Sequence, residues 1–211
     1  MANSIPTSSS LSTSSPPSTV YPKLVVFDLD WTLWPLDVDT HVDPPFKRTL
    51  TVVKDSRNRS VELFPDTRRV LQELQGNNVP IAFASRTTDP TAAEALLKAF
   101  LLYENSSIKQ SEMSEQTTLW DCLASRDHFQ AYPSRGGRAK TKHFSEIMKA
   151  HSTHVNETLD FSDILFFDDA DDNIEIALES GIIAIYLERG EGITYDLFKD
   201  GLKQWRSRTI S

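Results

Sequence analysis

Short apolar runs alternate with amphipathic helical patterns along the chain from residue 23 onward. Five runs read as strands: 23–29 (KLVVFDL), 79–85 (VPIAFAS), 128–133 (HFQAYP), the start of 163–173 (DILFFDDADDN) and 182–190 (IIAIYLERG). Four segments have a helical pattern: 67–78, 89–103, 141–152 and 173–181. Strands that alternate with helices in this way are typical of a parallel sheet covered on both faces by crossover helices. The pattern therefore predicts an α/β three-layer sandwich around a central parallel sheet.

Two segments depart from this alternation. Residues 36–64 contain RTLTVV and SVELF on either side of KDSRNR, which predicts a β-hairpin inserted after the first strand. Residues 104–127 are polar and irregular, although LWDCLASR within them favours one or two helical turns. Both insertions are too short for an independent domain, so we expect no cap domain over the sheet.

The chain opens on a segment of different composition. Residues 1–20 are rich in Ser, Thr and Pro and carry no charged side chain, so they cannot bury enough apolar surface to fold. We expect a disordered tail over 1–20 and one folded domain over 21–211. A transit peptide is disfavoured because the tail also lacks arginine and an amphipathic period.

Composition narrows the partners and the compartment. The chain has 22 Lys and Arg against 30 Asp and Glu, a net charge of −8, which disfavours nucleic acid and anionic membranes as partners. No apolar run reaches the roughly 18 residues that span a bilayer. Cys122 is the single cysteine, which excludes an internal disulfide and fits a reducing compartment. We expect a cytoplasmic monomer that binds neither nucleic acid nor membrane.

Polar side chains gather where the predicted strands end. Because the carboxyl ends of parallel strands meet at one edge of a sheet, we expect these groups to share a crevice. They are Asp28, Asp30 and Thr32 after the first strand, Ser85 and Arg86 after the second, Asp168 and Asp169 after the fourth, and Lys140 just before the helix of 141–152. Four carboxylates at close range repel one another strongly without a counter-ion. Mg²⁺ suits a site with few carboxylates and a phosphate oxygen.

The order of these groups, D-x-D-x-T and then Ser, Lys and D-D, resembles the haloacid dehalogenase (HAD) superfamily of phosphohydrolases. More narrowly, FDLDWTLWP, THVDPPF, ASRT and FFDDADDNI resemble the small magnesium-dependent phosphatases, over residues 23 to about 195. The resemblance implies a HAD-like Rossmannoid fold, a Mg²⁺ cofactor, and phosphotyrosine or sugar phosphates as substrates. Trp31 stands where that family usually has tyrosine, and 104–127 looks expanded, which leaves the shape of the substrate open.

Chemistry and the resemblance assign the same roles to the strand-end residues. Asp28 is expected to attack phosphorus and form an aspartyl phosphate. Asp30, two residues along and on the same side, is the expected general acid and then general base. Lys140 would neutralise the developing charge, and Ser85 would donate a hydrogen bond to a phosphoryl oxygen. Thr32 is grouped with the substrate-binding residues, where it would hold the loop or Asp30 in place.

The resemblance also suggests the metal ligands. Mg²⁺ is expected to be held by the Asp28 side chain, the backbone carbonyl of Asp30 and the side chain of Asp169, with Asp168 orienting a metal-bound water. In the family pattern the second acid of the pair is the direct ligand, so Asp169 ranks above Asp168.

Several of these residues also have a structural interpretation. Arg86 suits a contact with substrate phosphate and a surface ion pair equally well. Lys142 competes with Lys140 in RAKTKHF, and the family's spacing to Phe144 favours Lys140. Asn173 either caps a helix or braces the site.

The same holds for residues beside the main motifs. Asp171 and Asp172 are expected to form a solvated helix start, where the helix dipole favours negative charge. Trp31 and Trp34 either wall the entrance or belong to the core. His41, in DTHVDPPF, is a further candidate for the cleft.

The leading functional hypothesis is a Mg²⁺-dependent phosphomonoesterase that acts through an aspartyl phosphate, on phosphotyrosine or small sugar phosphates. The alternative is a receiver-like phospho-aspartate signalling module without turnover. Chain order favours the phosphatase, because a receiver has its acid pair on the first strand and its phosphoacceptor later. A cysteine-dependent phosphatase is excluded because no arginine follows Cys122 at the required spacing.

Overall fold

A five-stranded parallel sheet is the centre of the computed structural model, which describes residues 21–49, 52–104, 116–133, 139–155 and 157–209. The described strands, in chain order, are β1 (Leu24–Phe27), β2 (Lys47–Thr49), β3 (Val52–Lys54), β4 (Ser60–Val61), β5 (Ile81–Ser85), β6 (Phe129–Ala131), β7 (Ile164–Asp168) and β8 (Ile183–Tyr186). The described α-helices are α1 (Thr67–Gly76), α2 (Pro90–Ala99), α3 (Ala139–Val155), α4 (Asp171–Glu179) and α5 (Tyr195–Thr209). The order β6-β5-β1-β7-β8 places the first strand in the middle of the sheet, and every pairing in it is parallel.

The sheet is covered on both faces, which makes the molecule a three-layer sandwich. Val25 and Phe27 of β1 point into a core that also contains apolar side chains of α1, α2 and α5. Leu24 and Val26 point the other way, into a second core formed with α3 and α4. Both faces of β1 are buried, which explains why its sequence is a continuous apolar run rather than an alternation of apolar and polar residues. The predicted α/β class and parallel sheet are confirmed.

The inserted segment after β1 differs from the prediction. A single hairpin was expected over 36–64, but β2, β3 and β4 form a three-stranded antiparallel sheet. RTLTVV was expected to be one strand, whereas Lys47–Thr49 and Val52–Lys54 pair with each other. The pattern did not reveal this because a β-rich hexapeptide fits one long strand and two short ones equally well.

A side chain caps the N-terminus of α2, whereas no side chain caps that of α1. Asp89 accepts a hydrogen bond from the Ala92 backbone N–H at 2.9 Å, and Pro90 lies in the first turn. Asp66 occupies the N-cap position of α1, but its side chain makes no cap hydrogen bond. It accepts instead from the Tyr195 backbone N–H at 2.9 Å and so ties α1 to the start of α5.

The remaining departures lie near the ends of the pattern. Helix α5 was not predicted, yet Phe198, Leu202 and Trp205 are buried in the core that it shares with α1. In the 104–127 segment, short 3₁₀ turns occur at Trp120–Cys122 and Arg126–His128, as LWDCLASR suggested. The predicted tail over 1–20 lies outside the described residues. No helix in the described ranges is long and apolar enough to cross a membrane.

The packing of α5 can be tested at Gly201. A Cβ atom there would lie 3.0 Å from Ile185 Cγ1 and 3.0 Å from Phe167 Cζ, both in the core. We expect Gly201→Val to lower the free energy of unfolding by about 1–3 kcal/mol through overpacking. Gly76→Ala is the matched control, since no atom lies within 4 Å of its Cβ position, and it should raise stability by about 0.5–1 kcal/mol. Urea denaturation measures both, and equal stability of the two variants would contradict this packing.

Candidate active site

Polar side chains converge at the carboxyl edge of the central sheet, around a cavity of about 330 Å³. The chain of β1 continues into Asp28, whose backbone N–H donates to the Phe167 carbonyl of β7 at 2.9 Å, so the two strand ends stay in register. The residues lining the cavity are Asp28, Asp30, Trp31, Asp37, Asp39, Ser85, Arg86, Thr87, Asp169, Ala170, Asp172, Asn173 and Arg189. Ligand binding beyond the carboxyl ends of the strands is the general rule for open α/β sheets.

Lys140 reaches this edge from the first turn of α3 and is fully buried. Its ammonium donates to Asp28 Oδ1 and to the Ala84 carbonyl, and it lies 3.0 Å from Asp168 Oδ2. Lys142 is exposed and lies over the ring of Tyr132, with its Nζ 4.8 Å from the ring centroid. The structure therefore brings Lys140, and not Lys142, into contact with Asp28.

The charges below the cavity do not balance. Two buried carboxylates, Asp28 and Asp168, share one ammonium, that of Lys140. Burial raises the pKa of Asp28 well above its usual range, against the opposing attraction of Lys140. Burial, followed by repulsion from Asp168, raises the pKa of Asp169 to about 6. A further positive charge would stabilise all three carboxylates, which is the electrostatic signature of a cation site.

The three carboxylates fit such a cation in geometry as well as in charge. Asp28, Asp168 and Asp169 each offer one oxygen, and these oxygens lie within 4.8 Å of one another. Oxygen-only donors suit a hard divalent cation such as Mg²⁺. Ligation by the Asp30 carbonyl remains a prediction.

Hydrogen bonding separates the roles of the two adjacent acids. Asp168 Oδ1 accepts from the Ala170 backbone N–H at 2.8 Å and from Asn173 Nδ2 at 3.0 Å. Asp168 Oδ2 accepts from Asn173 Nδ2 at 2.9 Å and faces Lys140 at 3.0 Å. Three donor groups, those of Ala170, Asn173 and Lys140, thus engage both oxygens of Asp168 and leave this carboxylate less available to a cation than Asp169. Asp169, whose ion-pair contact with Arg189 is 4.0 Å long, has oxygens available for a cation.

Asp30 lines the cavity beside the nucleophile candidate. Its Oδ1 accepts a hydrogen bond from Trp34 Nε1 at 2.7 Å. Burial raises the pKa of Asp30 to about 7, although the Trp34 hydrogen bond opposes the shift. The indole of Trp34 is fully buried, so this tryptophan belongs to the core and also orients Asp30.

The predicted substrate-binding residues fall into two groups. Ser85 and Arg86 line the cavity, whereas Thr32 is fully buried and does not. Ser85 Oγ accepts from the Thr87 backbone N–H at 3.2 Å, which leaves its own hydrogen free to donate. A contact between Thr32 and substrate does not fit this placement. The Thr32 carbonyl accepts a hydrogen bond from the Ile193 backbone N–H at 3.0 Å, and this bond ties the loop after β1 to the loop after β8.

The rim contains residues that the sequence left open or missed. Asn173, which had been left between a cap and a brace, holds both oxygens of Asp168 and accepts from Arg86 Nη1 at 3.1 Å. Asp171 and Asp172 are exposed in the first turn of α4, as expected, and Asp172 also lines the cavity and pairs with Arg86 at 2.8 Å. His41 lies outside the lining and packs edge-on against Trp31.

Three other lining residues, Asp37, Asp39 and Arg189, lie outside the motifs that carry the family resemblance, and Thr87 lies within ASRT but was not singled out. Their side chains reach the cavity through loop conformation. No periodicity reports such a conformation.

Comparison with known proteins gives concordant matches. The family described as Acid Phosphatase matches residues 20–208. Human "Magnesium-dependent phosphatase 1" is 35% identical over 170 residues, 80% of each chain. A "HAD-like hydrolase superfamily protein" of Schizosaccharomyces pombe is 33% identical over 159 residues, 74% of this chain and 80% of the relative. Among solved structures, a HAD-superfamily hydrolase from Ehrlichia chaffeensis has a TM-score of 0.48 at 13% identity, covering 90% of this chain and 98% of that one.

The buried charge cluster predicts a large difference between two neighbouring lysines. Lys140→Met removes the ammonium and leaves Asp28 and Asp168 without their cation, which should destabilise the metal-free protein by about 3–5 kcal/mol. Lys142→Met, at an exposed position, should stay within about 0.5 kcal/mol of wild type. Urea unfolding in EDTA measures both variants. A Lys140→Met protein as stable as Lys142→Met would show that the ammonium does not offset the buried carboxylates.

Proposed function

The chain belongs to the Acid Phosphatase family, and from this premise we propose that it hydrolyses phosphate monoesters through an aspartyl phosphate on Asp28, with Mg²⁺ as cofactor. This membership agrees with the resemblance drawn from the sequence motifs and makes the protein a phosphatase of the HAD superfamily. The observation that carries the mechanism is the placement of Asp28, which lies at the end of the central strand in contact with the buried ammonium of Lys140. Membership of a phosphatase family argues against the alternative, a receiver-like module without turnover.

The metal part of the proposal rests on the donor set and on the relatives. The human relative is named as magnesium-dependent, and the three clustered carboxylates of this chain offer the hard oxygen ligands that Mg²⁺ prefers. Asp28 and Asp169 would hold the ion directly, while Asp168, whose oxygens are engaged by Asn173, Ala170 and Lys140, would act on it indirectly. When bound, Mg²⁺ supplies positive charge to the phosphoryl oxygens and to the attacking carboxylate.

In the first step, an oxygen of Asp28 forms a bond to phosphorus as the bond to the leaving oxygen breaks. Asp30 gives its proton to that leaving oxygen, and its pKa of about 7 keeps a protonated fraction at neutral pH. In the second step, Asp30 accepts a proton from water as the water oxygen forms a bond to phosphorus. The bond between phosphorus and the Asp28 oxygen breaks, which releases inorganic phosphate and restores the Asp28 carboxylate. In both steps Ser85 stabilises the charge on a phosphoryl oxygen by a hydrogen bond, and Lys140 stabilises the negative charge on the Asp28 oxygen that it contacts.

The proposed substrate class follows from the openness of the site. The cavity of about 330 Å³ opens at the edge of the sheet, and the inserted β2–β4 sheet is too small to be a cap domain. Small sugar phosphates and an exposed phosphotyrosine therefore both fit the entrance. A panel of these monoesters assayed with Mg²⁺ distinguishes them.

Metal dependence gives the first test of this proposal. Activity should be lost in EDTA and return with Mg²⁺. Because an ion that binds the native state raises its stability, Mg²⁺ should also raise the Tm of the wild-type protein. Asp169→Asn should remove most of this rise, whereas the exposed control Asp171→Asn should keep it. Hydrolysis that persists in EDTA, or an unchanged Mg²⁺ effect in Asp169→Asn, would contradict the assigned metal site.

The division of labour between Asp28 and Asp30 gives the second test. Nitrophenolate leaves without a proton, whereas a sugar alkoxide needs one. Asp30→Asn should therefore slow sugar-phosphate hydrolysis much more than the release of the first nitrophenol. Since water attack also needs Asp30 as base, nitrophenol should appear as a burst of about one equivalent and then slowly.

Rapid-mixing absorbance measures this burst, and Asp28→Asn, which cannot form the intermediate, is the control with no burst. Equal slowing of both substrates by Asp30→Asn, with no burst, would move the acid and base role to another residue.

A further inference from the structure

A second cationic side chain at the mouth of the cavity, Arg189, has no part in the chemistry assigned above. It lies in the loop after β8 and lines the same cavity as Arg86. Its side chain is 58% exposed, so its neighbours rather than burial hold it in place. Arg189 is thus an exposed positive charge at the mouth of the proposed active site, and its contacts indicate what it can bind.

The face of the Arg189 guanidinium rests on Trp31, with its Cζ 4.6 Å from the ring centroid. Such cation–π stacking uses the flat face of the guanidinium and leaves its in-plane N–H donors available. Trp31 has φ of 58°, a left-handed conformation that glycine adopts freely and a bulky residue rarely does. A hydrogen bond from the Trp31 backbone N–H to the Trp34 carbonyl, 2.9 Å long, holds this conformation. The strained backbone places the indole beneath Arg189, directly after Asp30.

The donors of Arg189 are only loosely engaged. Nη2 lies 3.4 Å from Asp37 Oδ2, and Nε lies 4.0 Å from Asp169 Oδ2. Both distances exceed the roughly 2.7–2.9 Å of a charge-assisted hydrogen bond. Arg86 differs, because its Nη1 is committed to Asp172 at 2.8 Å and to Asn173 at 3.1 Å. An anion entering the cavity therefore meets less competition for Arg189 than for Arg86.

The acids around the mouth do not all compete for this arginine. Asp39 is engaged by the backbone N–H of Thr88 at 3.0 Å and by its hydroxyl at 2.6 Å. Asp37 faces Arg189 and is its partner in the free protein. Asp169 is the acid assigned to the cation, so Arg189 borders the place where a phosphoryl group would meet that cation.

We propose that Arg189 is a phosphoryl-binding residue: it leaves Asp37 when a phosphate group enters and donates its N–H groups to the phosphoryl oxygens, supported from below by Trp31. The inference rests on the proposed function and deepens it, since it adds a binding group that none of the sequence motifs contains. The ligand class is the phosphate dianion, as monoester substrate or as inorganic phosphate product. Arg189 thus binds both the monoester that the first step consumes and the inorganic phosphate that the second step releases.

Isothermal titration with inorganic phosphate in the presence of MgCl₂ tests this role without requiring turnover. Arg189→Gln should raise the Kd for phosphate about tenfold, which is the loss of affinity expected when charge-assisted hydrogen bonds are removed from a half-exposed site. Arg189→Lys should be intermediate, because lysine keeps the charge but lacks the planar fork of donors. The control Arg126→Gln, at an exposed position outside this cavity, should stay within twofold of wild type.

A substitution of Asp37 should have the opposite effect on the affinity for phosphate. Asp37→Asn removes the competing partner and should tighten phosphate binding by about threefold. If Asp37 acts through Arg189, this gain should disappear in the double variant Asp37→Asn/Arg189→Gln. A gain of equal size in both backgrounds would reflect only the general field of the carboxylate, and it would overturn the proposal.

The other outcomes separate this inference from the proposed function. Phosphate binding by Arg189→Gln within twofold of wild type, with Tm unchanged, overturns the role of Arg189 and leaves phosphatase chemistry intact if nitrophenyl phosphate is still hydrolysed. Wild-type protein that binds phosphate through Arg189 but hydrolyses no monoester overturns the proposed function alone. Wild-type protein with no measurable phosphate binding overturns the role of Arg189.

Discussion

The buried ammonium of Lys140, held between the carboxylates of Asp28 and Asp168, is the interaction on which the rest of the structure depends. Removing charges from water is costly unless each finds partners, and this ammonium has two carboxylates and the Ala84 carbonyl around it. The arrangement still leaves one negative charge in excess below the cavity, before Asp169 is counted. A cluster that keeps such an imbalance has a place for a cation.

The fold supplies each part of this cluster from a different element. The first strand is central in the sheet, so its end is flanked by the ends of β5 and β7, which bring Ser85 and Asp168 alongside Asp28. Helix α3 crosses one face and delivers Lys140 from its first turn. The Asn173 amide then bridges Asp168 to Arg86, which connects the buried cluster to the rim. Each strand and helix is ordinary, and the site arises from their common edge.

The exposed residues at the mouth of the cavity, which form its rim, are paired differently from the buried cluster of Asp28, Lys140 and Asp168, which forms its floor. Below, charges are buried and paired at short distance, so their geometry is rigid. At the mouth, Arg86, Arg189, Asp37 and Asp172 are half-exposed, and pairs of that kind contribute about 0–1 kcal/mol each to stability. The contact of Arg189 with Asp37 is long as well as exposed, whereas Asp172 and Asn173 hold Arg86 at shorter distances. The proposed chemistry therefore rests on the buried cluster, and the proposed phosphate contact rests on the exposed Arg189.

Local pattern alone predicted the fold class and the acids at the ends of the central strands. Continuous apolar runs that end in acids at Asp28 and at Asp168 reveal buried parallel strands, because period and polarity are properties of short segments. The placement of Lys140 rather than Lys142 came from family spacing, and the contact with Asp28 then agreed with it.

Tertiary structure decided the rest. Helix α5, the three-stranded insertion, the burial of Thr32 and the entry of Arg189 into the cavity all depend on how distant loops pack together. Thr32 and Arg189 show the reason most clearly. Thr32 is buried outside the cavity lining although the D-x-D-x-T motif contains it, and Arg189 lines the cavity although none of the family motifs contains it. The direction of a loop side chain is set by long-range contacts rather than by its own sequence.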